Sequence, residues 1–236
     1  MRKYLVRGAV LLLVSLLLIF SVNAEGEQVW HEAYLGGYPD GTIRPEAVIT
    51  RAELAQVLYR MMDAGRRAEL DTHDTCFLDV MPNHWAYRAV TAATELGVMY
   101  GFDDGTFHPD DGVSRTQLAL ILTRIVHVSA ANGAMPDLAA HWQAQEISFT
   151  AENGWVMGYD GEKFVPDEPL TRAEFAQIFN RVLGRMPRSV DDLMVGMTLW
   201  SDNGDTAAWY FFDLQEAGCS HAAETCTDGE RWTALG

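Results

Sequence analysis

A mainly helical fold built from three copies of one supersecondary unit is the class this sequence predicts, and three observations predict it. The stretch GYPDGTIRPEAVITRAELAQVLYRM from Gly37 recurs as GFDDGTFHPDDGVSRTQLALILTRI from Gly101 and as GYDGEKFVPDEPLTRAEFAQIFNRV from Gly158. In every copy the opening glycine precedes a proline (Pro45, Pro109, Pro166) by eight residues and an arginine (Arg51, Arg115, Arg172) by fourteen. Each copy then runs into apolar residues at helical spacing. Spacing kept this strictly marks one unit used three times.

Taken in order, the chain starts with Arg2, Lys3 and Arg7, an apolar run over Gly8–Phe20, and Val22-Asn23-Ala24. A basic end, an apolar core and a small-residue site read as a secretory signal over residues 1–24, cleaved after Ala24. Its thirteen-residue apolar run falls short of the roughly 20 residues that span a bilayer; an uncleaved anchor is the competing reading. Losing Arg2, Lys3 and Arg7 with the signal leaves 14 of the 17 basic residues against 33 acidic ones, which takes the net charge from −16 to −19. Such a balance argues against nucleic acid and anionic membrane surfaces as partners, because both want basic patches.

Inside each copy the local rules agree. Asp40-Gly41, Asp104-Gly105 and Asp160-Gly161 are turn signals, since glycine accepts positive φ without strain. Thr50 with Glu53, Ser114 with Gln117 and Thr171 with Glu174 are capping boxes, each hydroxyl and each Glu/Gln satisfying an orphan amide at a helix start. Ile49, Val113 and Leu170 precede the boxes, and Leu54, Leu118 and Phe175 follow at the staple position. The helices then carry Leu54/Val57/Leu58/Met61, Leu118/Ile121/Leu122/Ile125 and Phe175/Ile178/Phe179/Val182, one core face each.

Capping leaves the arginines unexplained. At the first helical position the macrodipole disfavours a cation by roughly 0.3–1 kcal/mol, and the cost is repeated at Arg51, Arg115 and Arg172. Two readings compete: a salt bridge to a neighbouring copy's carboxylate, or an anionic or polar-sugar ligand held by guanidinium and helix N-terminal amides together. On the second reading, replacing an arginine by alanine leaves stability unchanged or slightly raised.

A second element alternates with the first. Phe77-Leu78-Asp79-Val80 with His84-Trp85-Ala86-Tyr87 precedes the second copy, and Asp137-Leu138 with His141-Trp142 precedes the third. The first copy lacks this front half, which recurs at the far end as Leu199-Trp200-Ser201-Asp202 and Trp209-Tyr210. Trp85, Trp142 and Trp209 are candidates equally for core anchoring and for ligand contact. Residues 25–76 thus hold the back half of the first unit (34–62) and a linker, 77–128 and 129–183 two whole units, and 184–198 a linker. Residues 199–218 complete the first unit, and 219–236 are a polar, turn-rich tail with Trp232 to pin it. The far segment is expected to pack beside Tyr34–Met61 and to complete a groove at Arg51 with Trp209 and Asp202; a swapped dimer is the rival arrangement. Cys219 and Cys226 could close a small loop, leaving Cys76 alone, and no cysteine spacing suggests a metal site.

FLDV–HWAY–GVMYGFDDGTFHPDDGVSRTQ and WVMGYDGEKFVPDEPLTRAE together resemble S-layer homology repeats, over most of residues 34–217. The resemblance implies a compact pseudo-threefold helical spindle with short extended and turn segments. It also implies non-covalent anchoring to the cell wall of a Gram-positive-type envelope. The implied partner is secondary cell-wall polysaccharide, often bearing ketal-pyruvate, bound in grooves between repeats, with Arg51, Arg115 and Arg172 in the family's TRAE position. Another surface protein could be a further partner, and no cofactor is implied. Departures are the Ser114-Arg115-Thr116-Gln117 box, the earlier Asp-Gly of the third copy and the split first repeat. An alternative is a calcium-dependent structural surface protein built on Asp103-Asp104-Gly105 and Asp110-Asp111-Gly112, although these turns lack a regular ligand series. A two-carboxylate wall hydrolase is the least supported class, because no acid pair stands out.

Overall fold

The computed structural model describes residues 28–126, 144–156, 164–226 and 229–236. The signal over 1–24, Trp142 with Asp137, the linker at 129–135 and the Asp160-Gly161 turn lie outside them. Among the described residues the chain is mainly helical, with a small three-stranded sheet. In order it forms β1 (Gln28–His31), α1 (Arg51–Arg60), α2 (Ala64–Leu70), α3 (Tyr87–Glu95), α4 (Arg115–Val126), α5 (Ala144–Glu152), α6 (Arg172–Leu183), α7 (Phe211–Gly218), β2 (His221–Cys226) and β3 (Gly229–Leu235).

The three repeat helices start by the same chemistry. Glu53 N donates to Thr50 Oγ1 at 3.2 Å while Thr50 N donates back to Glu53 Oε2 at 3.0 Å. Ser114 and Gln117 exchange the same pair at 3.2 and 3.1 Å, and Thr171 and Glu174 at 3.2 and 2.8 Å. Two orphan amides are satisfied per helix without solvent.

Two compact units form, one over Ile49–Leu170 and one joining residues 28–48 to Thr171–Gly236. In the first, α3 packs against both α1 and α2, and α4 packs against α5. A ring of backbone bonds joins the three residues that precede its capping boxes and the third copy's. Ile49 N donates to Leu170 O (3.0 Å), Leu170 N to Val113 O (2.9 Å) and Val113 N to Ile49 O (3.0 Å). All three side chains are buried, so every amide and carbonyl in the ring is paired where water could not serve it. The stretch between Met62 and Thr75, expected as plain linker, contains α2. Asp63 caps it by accepting from Arg66 N at 2.8 Å, and Leu70 is buried with Met62 and Ala92.

In the second unit α6 packs on α7. Phe175, Ile178, Phe179 and Val182 of α6 are buried, a contribution of about 1.5–3 kcal/mol each. Tyr34 joins them, 5.0 Å from the Phe179 ring, and its hydroxyl donates to Asn180 Oδ1 at 2.6 Å. Gly184, at φ 70°, ends α6 in the left-handed region. The N- and C-terminal segments meet here: Tyr34 N and Leu35 N donate to Ala217 O at 3.0 and 2.9 Å, and Ser201 N donates to Gly41 O at 3.0 Å. The tail expected as turns is instead the hairpin β2–β3. The antiparallel order is β1-β2-β3, with His31 opposite His221 and His221 opposite Leu235. Trp232 is buried in this sheet. Cys76, Cys219 and Cys226 are free thiols. No helix among the described residues is long and apolar enough to cross a membrane.

Candidate functional site

Each repeat arginine is buried: Arg51 is 7% exposed, Arg115 5% and Arg172 2%. Arg51 donates from Nε to Phe107 O (2.9 Å) and from Nη2 to Tyr100 O (2.7 Å). Arg172 donates from Nε to Ile43 O (2.8 Å) and from Nη2 to Gly36 O (2.6 Å). The acceptors are equivalent positions of two copies, at the two ends of the Gly-to-Pro turn. A planar guanidinium suits this job because its fork reaches two carbonyls at fixed spacing. Burial pulls the Arg51 pKa down, against the Asp111 and Asp79 carboxylates that favour its charge.

The helix N-terminal amides expected to share an anionic ligand are occupied. Arg51 N and Ala52 N donate to Asp111 O and Pro109 O, both at 2.9 Å. Arg115 N and Thr116 N donate to Glu168 O and Pro166 O, and Arg172 N and Ala173 N to Ala47 O and Pro45 O. Each copy's helix therefore sits on the next copy's proline turn, and the third sits on the first. For Arg51 and Arg172 the dipole cost is returned by main-chain carbonyls, and at Arg51 the Asp111 and Asp79 carboxylates add to it. At Arg51 and Arg172 this geometry argues against the expectation that alanine would leave stability intact, since two charge-assisted bonds are worth about 1.5–3 kcal/mol each.

Sequence reasoning missed what braces these turns. Arg44 and His108 have φ 55° and Val165 has φ 51°, left-handed conformations that cost roughly 1–3 kcal/mol each for non-glycine residues. Asp79 accepts from Phe107 N (2.8 Å) and His108 N (2.7 Å), one bond per carboxylate oxygen. Asp202 accepts in the same way from Ile43 N (2.9 Å) and Arg44 N (2.8 Å). Burial pushes the Asp79 carboxyl up, but the Phe107 and His108 amides outweigh it and its pKa ends below the ordinary range. Asp202 thus braces the turn that receives Arg172, whereas Arg51 reaches the turn braced by Asp79; the expected pairing of Asp202 with Arg51 is corrected accordingly.

Trp85 and Trp209 are not core anchors. They are 59% and 54% exposed; Trp85 lies beside the His84 ring at 5.8 Å, and Trp209 meets Tyr210 edge-on at 5.4 Å. The aromatic two residues before each clamping aspartate packs inward instead, Trp200 buried and Phe77 half-buried. A Cβ on Gly101 would lie 2.1 Å from Phe77 Cε1, and one on Gly37 2.3 Å from Trp200 Nε1. Glycine lets each turn close on that ring. Aromatic faces also lie on the guanidiniums: Phe102 at 5.1 Å and Phe107 at 4.5 Å from Arg51, and Tyr38 at 4.9 Å from Arg172 and 3.7 Å from Arg44. Arg44 also pairs with Asp40 at 2.9 Å; bonds from the Thr42 hydroxyl and from Arg44 hold the Asp40 pKa down to about 2.

The acidic turns suggested for calcium close on themselves: Asp104 accepts from Thr106 N at 2.9 Å, and Asp111 lies 3.0 Å from His108 Nδ1. Among the described residues the group that could hold a metal lies elsewhere, at His31, Glu216, His221 and Glu230.

Repeated turns, TRAE-type helix starts and aspartate clamps define the class: this is an S-layer homology domain protein. The family model described as S-layer homology domain matches residues 32–55, 77–119 and 134–176. The first match is the shortest and covers only a back half, whose front-half aspartate clamp comes from Asp202. Cell surface glycoprotein 1 of Acetivibrio thermocellus is 30% identical over 218 residues, which is 87% of this chain and 9% of that protein. The Cellulosome-anchoring protein of the same organism is 28% identical over 200 residues, 80% of this chain and 45% of that one. S-layer protein EA1 of Bacillus anthracis is 26% identical over 151 residues, 60% and 18% respectively. The chain spans less than half the length of each of these relatives.

Proposed function

We propose that this chain anchors non-covalently to the cell wall of a Gram-positive-type envelope by binding secondary cell-wall polysaccharide, with no catalytic step. Its three repeats form a pseudo-threefold spindle, and the glycan lies in grooves between them. The single observation that carries the reading is the S-layer homology match in three segments, alongside relatives named for anchoring and for S-layers. The proposed ligand contacts are Arg51, Arg115 and Arg172 with Trp85, Trp142 and Trp209. Exposed indole faces suit sugar rings, which stack their apolar C–H faces on aromatic surfaces, and a guanidinium suits a pyruvyl carboxylate. The two carbonyl bonds of Arg51 and of Arg172 favour a rigid cation that adds charge and a fixed donor to the ligand, at little further entropic cost. The overall charge is acidic, so attraction to an anionic glycan is local, and moderate salt weakens it less than it would weaken a basic patch.

Co-sedimentation with purified walls, before and after extraction of the wall polysaccharide, tests the proposal. The chain should pellet with intact walls and stay in solution with extracted ones. Trp85→Ala and Trp209→Ala together should reduce pelleting several-fold without lowering the melting temperature. Equal pelleting with extracted walls, or strict dependence on added calcium, would overturn it.

A further inference from the structure

The sheet that follows the repeats holds a cluster that capping, turns and glycan contacts do not use. His31 ends β1, Glu216 lies in the last turn of α7, His221 opens β2 and Glu230 sits in β3. All four side chains are buried, Glu216 and His221 completely, and one ligand atom of each lies within 4.8 Å of the others. His31 Nδ1 is 3.2 Å from Glu216 Oε1 and 3.6 Å from Glu230 Oε2. His221 Nε2 is 3.1 Å from Glu216 Oε2 and 3.8 Å from Glu230 Oε1. Each imidazole nitrogen therefore faces one oxygen of either carboxylate, and nitrogen and oxygen alternate around a small closed space.

Two further observations say what fills that space. His221 Nε2 and Glu230 Oε1 are buried without a well-aligned hydrogen bond, so their approach to the neighbouring cluster atoms, 3.1 Å from Nε2 to Glu216 Oε2 and 3.8 Å from Nε2 to Glu230 Oε1, is close but poorly directed. His221 Nδ1 lies 2.9 Å from Cys219 O. A carbonyl can only accept, so Nδ1 carries a proton and Nε2 is the ring atom turned to the cluster, the arrangement by which a backbone carbonyl orients a metal-binding histidine. Trp232 completes the surround: its Nε1 donates to Glu216 Oε2 at 3.1 Å, and its ring stacks on His221 at 3.9 Å.

We propose that His31, Glu216, His221 and Glu230 form a buried structural site for one divalent transition cation of the zinc class. Bonds of about 2.0–2.2 Å in a tetrahedron put neighbouring ligand atoms about 3.4 Å apart, and one atom from each of the four residues lies within 4.8 Å of the others, so small side-chain rotations bring them onto one ion. Two carboxylates neutralise a dication, so the burial leaves no net charge. Two imidazoles disfavour calcium and magnesium, which take oxygen ligands. Four protein ligands without an open position make the site structural instead of catalytic. The cation ties three short strands to α7, and a sheet this small gains most from such a staple.

The full secreted chain, purified without chelator, should retain close to one zinc ion per chain through gel filtration, measured by elemental analysis. Cobalt substituted for zinc should give the intense visible absorption of a tetrahedral ion. Adding zinc to stripped protein should raise the melting temperature by roughly 5–10 °C at a hundredfold excess over Kd. Glu230→Gln keeps the shape and should lose the stoichiometry and the cobalt band; His31→Ala should do the same if Glu230→Gln fails to fold. Wild-type protein with no retained metal and no zinc-dependent shift would mean that the four groups share protons instead, and would overturn the site. Equal retention by the variants would overturn it as well.

Discussion

Arg172→Ala tests whether the repeat arginine is part of the fold. The substitution removes two charge-assisted bonds, to Ile43 O and Gly36 O, from a side chain that is 2% exposed. At about 1.5–3 kcal/mol each the loss is roughly 3–6 kcal/mol. Relief of the helix dipole returns roughly 0.3–1 kcal/mol. The net cost of roughly 2–5 kcal/mol is a large share of a typical stability of ~5–15 kcal/mol. For a chain of this size it lowers the melting temperature by roughly 4–20 °C. Thermal unfolding followed by circular dichroism reads it directly. Arg172→Lys should recover little, because a single ammonium cannot fork onto two carbonyls. A variant that melts with the wild type and has merely lost wall binding would refute the argument and leave the arginine as a ligand residue alone. Binding measured well below the variant's melting temperature keeps the two roles apart.

Gly37→Ala and Gly101→Ala should each cost about 1–3 kcal/mol, because the added methyl meets Trp200 or Phe77, whereas Gly204→Ala, with open space around it, should stay within about 0.5 kcal/mol; chemical denaturation of the three variants checks this. Asp79 has a folded pKa below its unfolded value. Its contribution to stability is therefore present above the unfolded carboxyl pKa of about 3.9 and is lost as pH falls through that value and then the folded one. Asp79→Asn should flatten this part of the acid limb in urea titrations below about pH 5; an unchanged limb would remove the clamp from the stability account.

What could be read from the sequence was local. The capping boxes obey a three-residue rule, and the buried faces of α1, α4 and α6 follow the helical period, so both were legible. The arginine seats were not, because Tyr100, Phe107, Gly36 and Ile43 accept through main-chain oxygens, which leave no side-chain signature. The turn clamps left a trace, since Asp79 and Asp202 recur at one place in the front half, but their left-handed targets Arg44 and His108 carry no glycine to announce them. Strand β2, HAAETC, has three residues of low strand propensity, and β3 buries Glu230 while exposing Arg231. An alternation with a carboxylate on the inside reads as surface. The metal cluster draws on four elements, and His31 is 185 residues from Glu216, so no motif spacing could assemble it.

The bond from Ile49 N to Leu170 O, 3.0 Å long, bears on the order in which the chain folds. The second unit is discontinuous, interrupted by the roughly 120 residues of the first. Bringing residue 48 to residue 171 across an unstructured loop of that length costs about 4 kcal/mol in closure entropy beyond the constant term. Once the first unit has folded, its own ends already meet. Val48 and Thr171, which pair as an isolated bridge, are then delivered side by side as if joined by a short turn. A first unit that folds first is expected to make the long-range contacts of the second nearly local, so that refolding of the second unit, followed through Tyr34 and Trp200, should lag behind the first and slow when the first is destabilised.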